Sequence, residues 1–252
     1  MKKVIIIFGI LIMLIAATVV MAQTESVITY ESRVNMWRRI PPERESMKSM
    51  IPEFMVRKAE LYTNGTESMY KPVAEEEGDA EFSTSGGPGG GAMRFRMAGM
   101  NTEIYVNYSD QIRMSQQEFN GKKYLITDTI KITPWKFGAE TKEIAGYTCK
   151  QAFFSDEERK QEVVAWYTDK LGMFIGPETF GSLPGVILAL DINDGERTIV
   201  AQKIEQKKLG KNDIKVPSGG TAISGNEFRA MVQEEMKKRG ATGSGGAFII
   251  RN

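Results

Sequence analysis

The sequence predicts a mainly β protein: a single curved antiparallel sheet or half-barrel with one or two covering helices, an α+β arrangement. Three observations predict it. Asn64-Gly65, Asn120-Gly121 and Asn193-Asp194-Gly195-Glu196 each separate two strand-like runs, the pattern of tight hairpin turns. Strand-like runs recur at roughly 8–12-residue spacing. Only two stretches carry helical periodicity, enough to cover one face of a sheet and no more.

In chain order, Gln23 to Met36 is a strand with Ile28, Tyr30, Val34 and Met36 on one face. Pro41-Pro42 opens a helical pattern in which Met47, Met50, Ile51, Phe54 and Met55 recur, and Pro52 ends or kinks it near Met50. This helix is expected to pack on the sheet. Arg57–Tyr62 and Thr66–Lys71 flank Asn64-Gly65. Residues 73–92 are acidic and then Gly-rich, which reads as a surface loop inside one domain. Thr102–Tyr108, Gln111–Phe119 and Lys122–Thr127 form a meander that Thr133-Pro134-Trp135 ends. Gly146–Phe154 pairs with Gln161–Thr168, and Val186–Ile192 with Arg197–Glu205. In the last pair, Val186, Leu188, Leu190 and Ile192 share one face, as do Thr198, Val200 and Ile204. Ser224-Gly225-Asn226-Glu227 is a capping box for a helix reaching Arg239, with Gly240 as its stop and 241–252 as a Gly-rich tail.

The N-terminus sets the compartment. Met1-Lys2-Lys3, an apolar run to Val20 and Val20-Met21-Ala22 have the form of a secretory signal peptide cut after Ala22. The mature chain is then a single β-rich domain, residues 23–240, with no transmembrane segment. It is expected in the periplasm or cell envelope. Removing Lys2 and Lys3 lowers the 33 basic residues to 31, against 32 acidic ones. A balance this even gives no field for holding a polyanion, so nucleic acid is not a partner. The chain has one Cys and no His, which removes internal disulfides, His-assisted nucleophiles and His-containing zinc sites.

Ser182-Leu183-Pro184-Gly185-Val186 is the local signature of the chain. Pro184 fixes its own φ and restricts Leu183, and Gly185 permits backbone that other residues do not. Upstream lie Trp135, Thr141 to Cys149, Ala152, Ala165-Trp166-Tyr167-Thr168, Gly176-Pro177 and Phe180. Together these residues resemble the GLPGLI family of exported proteins of Gram-negative bacteria. Cys149, Trp166, Leu183, Pro184 and Gly185 would be its fold signature here. Ser182 stands where the family motif has its first Gly, which implies that this position needs no positive φ. The resemblance implies export and a β-rich fold, and it supplies no catalytic residue. The element order is also similar in architecture to the lipoprotein-carrier half-barrel.

No cofactor and no enzyme of the His-dependent or metal-hydrolase classes is expected. Cys149, in mid-strand without a His, reads as a buried inert thiol. Trp135, Trp166 and Tyr167 suit core and rim positions, with a stacking role as the alternative. The expected function is a non-catalytic binding or scaffolding module with an apolar groove. Met47, Met50, Phe54, Met55 and Trp166 are its ligand candidates, because Met adapts to variable partners. The partner would be an apolar ligand or an envelope protein. Two alternatives stand beside it. Met93, Met97 and Met100 offer soft thioethers to copper(I), though Arg94 and Arg96 lie between them. A carboxylate pair could support glycoside hydrolysis without any local sequence signal. Asp191 to Glu196 fails the spacing of a calcium loop and reads as a turn.

Overall fold

The structure, a computed structural model, describes residues 25–73, 102–157 and 160–242. The expected signal peptide, the interior of the 73–92 loop, Met93, Met97, Met100 and the end of the tail lie outside the described residues. Among the described residues, twelve strands build one sheet: β1 (Ser26–Asn35), β2 (Phe54–Thr63), β3 (Glu67–Pro72), β4 (Ile104–Asn107), β5 (Ile112–Phe119), β6 (Lys122–Thr129), β7 (Lys136–Ile144), β8 (Tyr147–Asp156), β9 (Gln161–Thr168), β10 (Val186–Ile192), β11 (Arg197–Gln206) and β12 (Thr221–Ile223). One α-helix follows, α1 (Gly225–Thr242). The spatial order is β12-β6-β5-β4-β3-β2-β1-β11-β10-β9-β8-β7.

Neighbouring strands are antiparallel except for β12, which adds to β6 in parallel. The sheet curls until its terminal strand β7 approaches β11. This is the curved, mainly β architecture that the turn signals predict. Asn120 and Gly121 both have positive φ, as a two-residue primed turn between right-twisted strands requires. The same solution appears at Ala145-Gly146, where a non-glycine residue takes φ 49° to close the β7–β8 hairpin.

β1 holds the centre. Its Ile28, Tyr30 and Val34, and Met36 just beyond its end, are buried as expected. Leu190 of β10 lies opposite Ile199 of β11 on one side and Ala165 of β9 on the other, and all three are buried. On β11, Ile199 and Ala201 are buried, while Val200 and Ile204 are partly buried and pack against the core. Both faces of this strand carry apolar residues, so alternation alone does not separate them. β10 is buried on both faces except at Asp191, in keeping with its near-continuous apolar run.

The inner face of the curl is filled by the chain itself. The segment 169–185 folds over it and buries Met173, Ile175 and Leu183 in the same core as Ile28, Tyr30 and Leu61. Ile187 N–H donates to Ile175 O (2.9 Å), and the Tyr30 hydroxyl donates to Ile187 O (2.7 Å).

The early helix is also corrected. Residues Pro42–Met50 form 3-10 turns broken at Arg44 with no buried residue, so they do not pack on the sheet as expected. Phe54 and Met55 belong to β2 instead. Pro52 ends the helical stretch, and the β-branched and aromatic run beyond it continues as strand.

At the other edge, α1 covers β6. Ser224 and Glu227 form the expected capping box: Ser224 N–H donates to Glu227 Oε2 (3.0 Å) and Glu227 N–H to Ser224 Oγ (3.3 Å). Phe228 is buried, edge-on to Tyr124 (5.4 Å) and Phe119 (6.2 Å). The helix runs past Gly240 to Thr242.

Candidate functional site

Of the signature residues, Cys149 and Leu183 are buried in the core, Trp166 packs against it and Pro184 is exposed. Gly185 N–H donates to Leu183 O (2.8 Å), closing a three-residue turn on Pro184. Gly185 is required for space and not for positive φ. A Cβ there would lie 2.2 Å from Thr168 O and 2.7 Å from its carbonyl carbon. Ser182, by contrast, has φ +65°, so the expectation that its position needs no positive φ is overturned. Trp135 donates from Nε1 to Gly181 O (2.8 Å) and meets Phe154 edge-on at 4.7 Å.

Cys149 is fully buried, and its thiol donates weakly to Tyr147 O (3.5 Å). Burial pushes this thiol up to about 11 from an ordinary 9.0. Native protein at pH 8 is therefore expected to resist alkylation, with Cys149 labelled only after denaturation. Fast labelling of the native state would contradict its burial. The sign for stability follows. The unfolded thiol ionises first, so this contribution is whole below pH 9.0 and is lost as pH rises toward about 11. Burial raises Tyr30, Tyr70 and Tyr108 in the same direction. The urea midpoint is expected to fall between pH 8 and pH 10.

The predicted ligand candidates fall on three elements: Met47 and Met50 in the 3-10 segment, Phe54 and Met55 on β2, and Trp166 on β9. Trp166 is half-buried beneath Lys142 (5.7 Å from Nζ to the ring). Met50 and Phe54 are exposed, in the 3-10 segment and β2 respectively. Met69 of β3 is buried in the core. The Asp191–Glu196 segment is the hairpin turn expected of it, with Gly195 N–H donating to Asp191 Oδ1 (2.6 Å). Among the described residues, no cluster of three or more Cys, Asp or Glu is arranged to hold a metal ion.

Among the described residues, a cleft of about 410 Å³ lies between two walls distant in sequence. One wall comes from the β4–β6 end of the sheet and the chain beyond it: Val106, Tyr108, Gln111, Arg113 and residues 130–132. The other is the filling segment, from Phe174 and Glu178 to Ser182. Apolar surface dominates, with Phe174 63% exposed and Ile132 84% exposed at the rim. Polar groups converge within it. Tyr108 shares a hydrogen bond with Ser68 (3.3 Å), and Gln111 Nε2 donates to Tyr108 O (2.7 Å).

The charges of the cleft are mostly committed to partners. Arg113 pairs with Asp128 (3.0 Å), and Glu178 pairs with Arg197, whose Nε also reaches Ser32 Oγ (3.4 Å). Tyr70 joins this inner cluster. Burial, and then the Glu178 carboxylate, hold its phenol well above the ordinary range. A concave, largely apolar site with a few fixed polar groups is the usual form of a binding pocket. Sequence reasoning missed Phe174, Glu178, Gln111 and Arg113, because no local spacing links residues 106–132 to 174–182.

Solved structures show the same fold. The chain superposes on PNGF-II in space group P21 with a TM-score of 0.55 at 17% identity, covering 85% of this chain and 34% of that one. PNGF-II in space group C2 gives 0.55 at 16% identity, with the same coverage. The chain thus spans about a third of the length of the PNGF-II chains it matches. No curated protein matches this sequence. The family described as N-glycanase peptide, N-terminal domain, matches residues 95–222, half of the chain and both walls of the cleft, and the chain belongs to that family.

Proposed function

We propose that this chain is a non-catalytic recognition module, exported to the cell envelope, whose cleft receives an N-glycosylated peptide. The observation that carries the reading is the cleft itself. Exposed ring faces from Phe174 and an apolar rim stand beside hydrogen-bonding groups from Gln111, Arg113 and Thr179. Sugar rings present apolar faces edged by hydroxyls, and peptides present alternating apolar and polar groups. Both suit a wall of this composition. The family description supports this ligand class: the matching family is described as the N-terminal domain of an N-glycanase, an enzyme named for N-linked glycans. The export half of the proposal rests on the basic, apolar and small-residue order of residues 1–22.

The non-catalytic half is supported by the commitment of Glu178, the carboxylate among the cleft-lining residues, to Arg197. Isothermal titration of a defined N-glycosylated peptide, with its deglycosylated form as control, tests the proposal. Wild type is expected to bind the glycosylated form, and Phe174→Ala to weaken binding about tenfold or more, as loss of an aromatic anchor does. Equal affinity in Phe174→Ala, or no binding by wild type, would overturn the assignment. Release of the glycan by the chain alone would overturn its non-catalytic character.

A further inference from the structure

We infer that the Glu178–Arg197 ion pair is a latch that holds the 174–182 wall in its binding shape, making both positioning residues for the cleft. The inference rests on the recognition reading and adds to it what sets the wall. Among the described residues, eight non-glycine positions have left-handed φ. Six of them, Gln111, Asn120, Ala145, Lys160, Asn193 and Asp194, lie in hairpin connections. The other two are Glu178 (φ +55°) and Ser182 (φ +65°), and both line the cleft. Backbone of this kind persists only where surrounding contacts determine it.

Those contacts are visible on either side. Ser182 is flanked by the Trp135–Gly181 hydrogen bond and by Leu183, which is buried in the core. Glu178 is flanked by Gly176, where a Cβ would lie 2.6 Å from Phe180 O, and by the hydrogen bond from Phe180 N–H to Pro177 O (3.1 Å). Its side chain meets Arg197 at the start of β11, where β11 pairs with the central strand β1. Both side chains are 22% exposed, which limits screening by solvent. A planar guanidinium facing a carboxylate also fixes direction as well as distance. The latch therefore ties a left-handed turn of the wall to the centre of the sheet. Thr179 and Phe180 are presented to the cleft between this tie and the Trp135 tie.

Hydrogen–deuterium exchange of the 174–182 amides, measured without peptide, tests the latch in Glu178→Gln, Arg197→Met and the reversed pair Glu178→Arg/Arg197→Glu. Exchange in this segment is expected to rise about tenfold in each single variant, as for loss of a charged hydrogen bond, while the amides of β10 and β11 stay protected. The N-glycosylated peptide should bind correspondingly more weakly, and the reversed pair should recover part of both effects. Unchanged exchange in Glu178→Gln would overturn the latch. So would raised exchange with unaltered peptide affinity, since the wall would then not serve the ligand. Failure of wild type to bind the peptide would sink the recognition reading instead. The two failures are separable because exchange is read with no peptide present.

Discussion

Gly185→Ala is expected to lower stability by about 3 kcal/mol or more, the upper range for forced overpacking, and to lower Tm by roughly 6–12 °C. The added methyl would sit 2.2 Å from Thr168 O and 2.7 Å from Thr168 C, both backbone atoms at the end of β9. A flexible side chain could turn aside, but a strand end cannot move without its neighbours. Val186 is already paired with Thr168, so relief would open the β9–β10 register where the corner launches β10. Urea denaturation measures the effect, with a lower midpoint and an unchanged slope as the expected form. Wild-type stability in Gly185→Ala would show that the Leu-Pro-Gly corner does not need the close approach.

Leu190→Ala is expected to cost about 3–4 kcal/mol, within the range for emptying a large buried site. Leu190 is 1% exposed, and its two cross-strand neighbours, Ile199 and Ala165, are each 0% exposed. Strands hydrogen-bonded on both sides cannot collapse into the space, so the cavity term adds to the lost transfer free energy. Leu190→Ile, which keeps the volume, should cost under about 1.5 kcal/mol. Equal costs for the two variants would contradict a cavity origin.

Much of this architecture is legible in the sequence, because its signals are local. Gly65 and the Asn120-Gly121 pair take the positive φ these residues favour in turns, and the Ser224/Glu227 box closes over four residues. What is not legible depends on distant partners. β7 carries alternating charges at a sheet edge and a register shift between Phe137 and Thr141, so its alternation is blurred. β12 is three residues long and exists by pairing with Tyr124–Ile126. The Met47–Met55 stripe mimics a helix that would cover the sheet, but residues 169–185 already fill the inner face. The cleft is the clearest case. Its walls come from residues 106–132 and 174–182, brought together across the four strands β3, β2, β1 and β11 that separate β4 from β10, and by a fold-over segment.

The Leu183-Pro184-Gly185 corner and Cys149 therefore describe how the chain folds, and the cleft beside them is where it is proposed to act. Ser182 belongs to both, since its left-handed backbone ends the cleft wall and begins the corner.

The central claim is that the ligand enters between these two walls, and amide chemical-shift mapping of the labelled protein with the N-glycosylated peptide tests it most directly. The account predicts shifts concentrated at 106–113, 130–132 and 174–182, saturating with peptide and absent with the deglycosylated control. Shifts confined to β2 and the 3-10 segment around Met47–Met55, or no shifts with the glycosylated peptide, would contradict it.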